Sequence, residues 1–214
     1  VPDSTRAPWR SPREIDAGPE ALAAGPPPVP VRAAPFDVRV ASAEGPDLEL
    51  VHAWMNRPHV ADFYDQAWPR ERWAEELAGQ ASGTFSRPLI ISEDGADIAY
   101  IELYRAARDV VGRTYPAEPH DVGLHIAIGR RVDTGRGTGT RIFESLTRAV
   151  FEADPLCARV LIEPDVANAA VRKAAQRAGL RFGGEVDLPH KRAALYYKER
   201  AAAAAAPEGG EAER

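Results

Sequence analysis

Cysteine is almost missing from this chain of 214 residues, where Cys157 stands alone. An intramolecular disulfide is therefore excluded, as is a zinc site built on several thiolates, and a reducing cytoplasm is the expected setting. No metal is expected in the chemistry. An excess of positive charge is missing too: 27 Lys and Arg stand against 32 Asp and Glu, a formal net charge of −5. Without a basic field to gather nucleic acid or anionic lipid, a small-molecule partner is favoured. No apolar run is long enough to span a bilayer, and Asp3, Arg6 and Arg10 are not followed by the apolar stretch of an export signal. Neither membrane insertion nor export is expected.

What remains is ordinary for one globular domain with tails: 44% hydrophobic and 28% charged residues. Nine of the 19 prolines fall within residues 1–35, including Pro26-Pro27-Pro28 and Pro30. Their missing backbone donors predict a disordered leader or linker there. The folded domain is expected over 36–200. A low-complexity tail follows over 201–214, where the alanines from Ala201 to Ala206 give way to Pro207, Gly209 and Gly210.

Between the tails the hydrophobic period switches repeatedly between two and 3.6, which predicts an α/β or α+β domain. Phe36, Val38 and Val40 alternate as a strand. Asp47 caps a helix carrying Leu48, Val51 and Met55, and Pro69 opens another carrying Trp73 and Leu77. Leu89–Ser92 and Ile98–Tyr104 flank Asp94-Gly95 as a hairpin. Val122, Leu124, Ile126 and Ile128 mark the clearest strand, and the next helix aligns Ile142, Phe143, Leu146 and Val150. A strand over 160–162, a helix over 167–178 and strands near 181–187 and 192–198 complete the series. The expected architecture is one mixed, largely antiparallel sheet of about seven strands flanked by about four helices.

Chemistry concentrates after the 122–128 strand, where Arg130-Arg131-Val132-Asp133-Thr134-Gly135-Arg136-Gly137-Thr138-Gly139-Thr140 leads into a helix. Three glycines between strand and helix let several N–H groups and the positive end of the helix dipole point at one place, which suits a phosphate. No Gly-Lys-Ser/Thr follows, so a P-loop is excluded, and G-x-G-x-G past mid-chain does not fit a dinucleotide fingerprint. A different nucleotide-containing cofactor is implied. On the preceding strand His125 shares its face with Gly123 and Ala127, opposite the apolar side chains, so two small neighbours leave room for a ligand beside an imidazole that titrates near neutrality. Asp165 ends the next strand, where it serves either a ligand or the start of the following helix; Asn168 reads as a helix-start residue.

The loop resembles that of the GNAT N-acyltransferase superfamily, Gln/Arg-x-x-Gly-x-Gly/Ala, with Arg136-Gly137-Thr138-Gly139 matching its first four positions and Arg141 standing where a small residue is usual. Asn168 through Gly179-Leu180 is similar to the superfamily's second signature; Ala175 replaces the tyrosine that often protonates the departing thiolate. Three stretches resemble the siderophore-biosynthesis branch: Trp54-Met55-Asn56-Arg57-Pro58-His59, His120-Asp121-Val122-Gly123-Leu124-His125, and Pro164-Asp165-Val166-Ala167-Asn168.

That resemblance implies an acyl-CoA-dependent N-acyltransferase acting by direct transfer on N-hydroxylysine, N-hydroxyornithine or N-hydroxycadaverine. His125 is then the general base and Asp165 a second catalytic residue that orients the acceptor or the imidazole. Arg131, Arg136, Gly137, Thr138, Gly139, Thr140 and Asn168 bind acetyl-CoA or another acyl-CoA, while Trp54, Asn56 and His59 bind the acceptor. Another small amine as acceptor, such as an antibiotic or polyamine, and a non-catalytic acyl-CoA-binding module stay open on the sequence, as do the acyl donor and the oligomeric state.

Overall fold

The structure, a computed structural model, describes residues 9–30 and 32–201. Eight strands form one sheet: β1 (Arg32–Ala33), β2 (Phe36–Val40), β3 (Ser86–Glu93), β4 (Ala96–Arg105), β5 (Val122–Ile128), β6 (Arg159–Ile162), β7 (Arg181–Leu188) and β8 (Lys191–Glu199), in the order β1-β2-β3-β4-β5-β6-β8-β7. All neighbours are antiparallel except β5 and β6. The helices are α1 (Pro19–Ala23), α2 (Gly45–Met55), α3 (Pro58–Tyr64), α4 (Arg70–Ser82), α5 (Thr138–Ala153) and α6 (Ala169–Arg177). The short β1, α1 and α3 exceed the expected count, because elements of one or two turns carry too few residues to show a period. Asp47 lies inside the first turn of α2 rather than at its cap, and its carboxylate accepts from Ser42 N and Arg39.

The β3–β4 hairpin turns on Asp94 (φ 50°) and Gly95 (φ 76°), the left-handed pair that a two-residue turn requires. Alternation along β5 then assigns the faces. Val122 and Leu124 join Ile142, Phe143, Leu146 and Val150 of α5 and Ala175 of α6 in one apolar layer. Ala127 faces the other way, with Trp54 and Met55 of α2 and Trp73 and Leu77 of α4.

The described part of the expected leader or linker makes contacts with the domain. Ile15 N donates to Arg108 O and Val110 N to Arg13 O, so residues 13–15 run alongside residues 108–110. The Arg105 guanidinium donates to the carbonyls of Ala24, Gly25 and Pro26 just past α1. The Trp9 ring fills the space over Gly79, where a Cβ would come within 2.1 Å of it. Proline removes donors but leaves carbonyl acceptors. Arginines of the domain use those acceptors to hold the leader in place. Of the expected tail, residues 202–214 lie outside the described residues.

Candidate active site

The site begins with a split in the sheet. β5 pairs with β6 only at Val122–Val160 and Gly123–Leu161. Beyond that point the chain after β6 stays with β8, through Ala194 N to Pro164 O, Val166 N to Arg192 O and an Asp165–Ala193 bridge. Pro164 has no N–H to offer β5. On the other edge of β5, Gly129 N donates to Ile98 O in register with the β4–β5 ladder. By period-two alternation, Leu124, Ile126 and Ile128 therefore turn their backbone groups toward the split. An extended amide-bearing ligand can pair with such a strand edge.

His125 sits at the apex of this split, and carboxylates hold both of its ring nitrogens. Nδ1 lies 3.1 Å from Glu102 on β4, and Nε2 makes a short contact with Glu163, the residue after β6. The Tyr104 hydroxyl donates to Glu163 at 2.6 Å, and Lys191 Nζ lies 3.8 Å from the same carboxylate. The Tyr104 ring lies on the imidazole with centroids 4.9 Å apart, and the Tyr64 ring meets it edge-on at 6.2 Å. The room expected beside Gly123 is thus taken by protein: a Cβ there would lie 2.0 Å from the Tyr104 ring. That glycine admits the tyrosine, not a ligand.

Burial opposes a charged imidazole here, but the charge of Glu163 and the hydrogen bonds that Glu102 and Glu163 accept from the ring outweigh it, so the His125 value lies above the ordinary 6.5. Burial likewise raises Glu163, yet the facing imidazolium and Lys191 hold its carboxyl below the usual range. Glu102 is also lowered, burial being outweighed by Arg13 and the His125 hydrogen bond. These shifts favour the imidazolium form of His125 between the two carboxylates. Tyr64 Oη is buried and has no hydrogen-bond partner among the described residues. An orphan donor at this place is costly unless something binding there accepts from it.

The glycine turn lies beyond the C-terminal end of β5. Gly135 (φ 73°) and Gly137 (φ 81°) are left-handed, and Gly137 is the N-cap of α5. The N–H groups of the first turn of α5 have no intrahelical acceptor, a geometry suited to an anion. A Cβ added at Gly139 would lie 3.6 Å from Ala174 Cβ and 3.7 Å from Ile128 Cδ1, so the start of α5 runs close to both. Arg131 and Arg136 are exposed, and among the described residues neither side chain has an ion-pair partner. Arg141 turns away to pair with Glu93 and lie over the Phe36 ring, so its bulk leaves the turn clear.

Other residues singled out in the sequence are used differently. Asp165 Oδ1 accepts from Ala167 N at 2.8 Å, and Asn168 Oδ1 caps α6 by accepting from Val171 N at 3.2 Å. The carboxylates that orient the imidazole are Glu102 and Glu163, not Asp165. Trp54 is 2% exposed beneath Gly129, a core position rather than a platform for the acceptor. Asn56 Nδ2 donates to the carbonyls of His52 and Trp68, closing the end of α2. His59 Nε2 lies 3.1 Å from Ile128 O, at the mouth of the split. Thr138 is buried, and Thr140 Oγ1 reaches Ala174 O at 3.4 Å. Sequence reasoning missed Glu102, Glu163, Tyr64 and Tyr104. A carboxylate in the apolar run Ile101-Glu102-Leu103 was the signal for one of them.

Comparison with known proteins gives a consistent result. Residues 44–188 match the family model described as an acetyltransferase (GNAT) domain. The chain is 42% identical to a lysine N-acyltransferase, MbtK, of Mycobacterium sp. (strain MCS), over 92% of this chain and 81% of that protein. It is 31% identical to an N(6)-hydroxylysine O-acetyltransferase of Escherichia coli, over 72% of this chain and 49% of that one. Among solved structures, an aminoglycoside acetyltransferase in complex with coenzyme A aligns with a TM-score of 0.68 at 22% identity, covering 77% of this chain and 95% of that one.

Proposed function

Because the chain belongs to the acetyltransferase (GNAT) family, we propose that it is an acyl-CoA-dependent N-acyltransferase whose acceptor is a small N-hydroxylated amine of hydroxamate siderophore biosynthesis. The names of its relatives support that acceptor class: lysine N-acyltransferase, N(6)-hydroxylysine O-acetyltransferase and N-hydroxyputrescine acetyltransferase. The observation that carries the reading is a buried imidazole at the apex of a split strand pair, on the same strand that leads into a glycine turn opening a helix. A supply of acyl-CoA fits work in the cytoplasm, and among the described residues no helix is long and apolar enough to cross a membrane.

In this reading the first turn of α5 holds the diphosphate of the acyl-CoA, with Arg131 and Arg136 adding charge. The open edge at Leu124, Ile126 and Ile128 pairs with the amide-bearing arm, which directs the thioester to the apex. His59 must release Ile128 O for the arm to occupy the whole edge. The acceptor nitrogen displaces Glu163 from neutral Nε2 and gives its proton to His125 as it attacks the thioester carbonyl; the carbon–sulfur bond then breaks, and coenzyme A leaves as a thiolate that takes a proton from water. Glu163 keeps Tyr104 and Lys191 as partners when this happens. Glu102 holds Nδ1, fixing the ring and stabilising the imidazolium that forms. Asp165, at the far wall of the split, orients the acceptor.

The direct test is release of free thiol from acetyl-CoA on adding N-hydroxylysine, N-hydroxyornithine or N-hydroxycadaverine. Release is expected with at least one and more slowly with unhydroxylated lysine. Coenzyme A binding with no release for any of them would remove the reading.

Two further outcomes are expected. The base must be neutral, and its value is raised above 6.5; a larger share is protonated at any given pH, so kcat/KM rises with pH through a midpoint above 6.5. A midpoint at or below that value in a pH–rate profile would contradict the cluster as described. Second, the orphan Tyr64 hydroxyl meets the oxygen of the acceptor's N-hydroxyl group. Y64F is expected to lose about tenfold in kcat/KM for the hydroxylated acceptor, the size of one hydrogen bond, while lysine turnover changes little. Equal losses on both acceptors would exclude this contact.

A further inference from the structure

The leader sends one side chain into the site. Arg13 lies outside the residues that match the family model, yet its guanidinium reaches Glu102 at 2.6 Å and Asp109 at 2.7 Å. It lies over the Tyr104 ring, 4.9 Å from the centroid, and Tyr104 in turn stacks on His125. Arg13 and Glu102 are 13% and 4% exposed, and Asp109 only 1%, so solvent screens this network little.

We propose that Arg13 is a positioning residue for the transfer reaction: by occupying Glu102 and Asp109 it keeps His125 able to act as a base, and the N-terminal segment is thereby part of the active site. This inference rests on the proposed function and deepens it.

The argument is one of charge balance around a single imidazole. The groups that face it are Tyr64 from α3, Glu102 and Tyr104 from β4, Asp109 from the turns after β4, Glu163 after β6, His190 in the β7–β8 turn and Lys191 at the start of β8. The cluster thus holds three buried carboxylates. Among the described groups that face it, Lys191 is the other permanent cation; without Arg13 the carboxylates would favour the protonated imidazole further, and a protonated imidazole accepts nothing from an acceptor nitrogen. Arg13 supplies the missing positive charge. Its two-pronged head spans two carboxylates on different segments, a geometry suited to arginine. It also fixes the Glu102 oxygen that orients Nδ1, since Glu102 gives Oε1 to Arg13 and Oε2 to His125.

The path of the leader explains how Arg13 gets there. Glu14 bridges Asp109, Arg13 O accepts from Val110 N, and the Arg108 guanidinium pairs with Glu14. These contacts align residues 13–15 with the turns after β4, and the Arg13 side chain enters beside Phe85 and Tyr104.

The test compares R13M, which keeps the length and removes the charge, with R13K in the full chain. The pH dependence of kcat/KM for an N-hydroxylated acceptor is measured for each. For R13M the midpoint is expected to move up by about one pH unit or more, with activity recovered at high pH, and R13K is expected to return it most of the way. An R13M profile with the wild-type midpoint, whatever its height, overturns the proposal and leaves Arg13 a structural strut. If R13M does not fold, D109N replaces it. Loss of a negative charge with Arg13 still present should lower the midpoint, and an unmoved midpoint overturns the proposal equally. The His125 imidazole can also be titrated by NMR among the five histidines, with H125N as the assignment control. That readout needs no turnover, so inactivity of the wild-type protein would sink the proposed function while Arg13 is judged separately.

Discussion

H125A is expected to lower kcat by about 10²-fold or more while coenzyme A affinity changes little. The imidazole lies at the apex of the β5–β6 split, whereas the proposed diphosphate site lies past the other end of β5, so the substitution separates chemistry from cofactor binding. A confounding loss of stability is built into the site. Removing one partner of a buried ion pair leaves the other uncompensated, at about 3–5 kcal/mol, and here Glu102 and Glu163 would both lose a partner. The double substitution H125A/E163Q removes one stranded charge and is expected to recover stability without recovering turnover. Single-turnover kinetics with saturating acyl-CoA, alongside thermal unfolding, distinguish the two effects. Near-normal turnover in folded H125A would take the imidazole out of the mechanism.

G137V should weaken coenzyme A binding by about 10²-fold in calorimetry while the domain stays folded. At φ 81° Gly137 is the N-cap of α5, and a β-branched residue there opposes the left-handed conformation by about 1–2 kcal/mol. The chain can relieve this only by rotating the peptide, which turns the first N–H groups of α5 away from a shared anion. A side chain at that point would also stand where the diphosphate is proposed to lie. The apolar contacts of α5 begin at Ile142 and Phe143, beyond the turn, so the core is spared. R136E, which reverses a charge without moving backbone, should cost affinity less. Unchanged binding in G137V would mean that the turn does not hold the diphosphate, and with it the acyl-CoA assignment would have to be rebuilt.

The parts of this molecule that local physics controls were readable from the residues in order. The β5 strand, the α5 stripe and the Asp94-Gly95 turn each depend on neighbours within a few positions, so period and turn chemistry locate them. His125 was readable for the same reason: alternation alone places it opposite Val122, Leu124, Ile126 and Ile128. Asp165 and Asn168 show the limit of such reading, since a short polar side chain before a helix looks the same whether it caps the helix or meets a ligand. In the structure both accept from nearby backbone N–H groups.

Composition and period determined that this chain folds as one mixed-sheet domain with a glycine turn suited to an anion and a histidine on the strand before it. Only the tertiary structure decided what surrounds that histidine. Glu102 reaches it from β4 and Glu163 from the residue after β6, and Arg13 arrives from a proline-rich segment that by itself reads as a tether. Such convergence has no local signature, because contacts between residues separated by most of a domain are set by strand order and by which loop carbonyls a buried arginine finds.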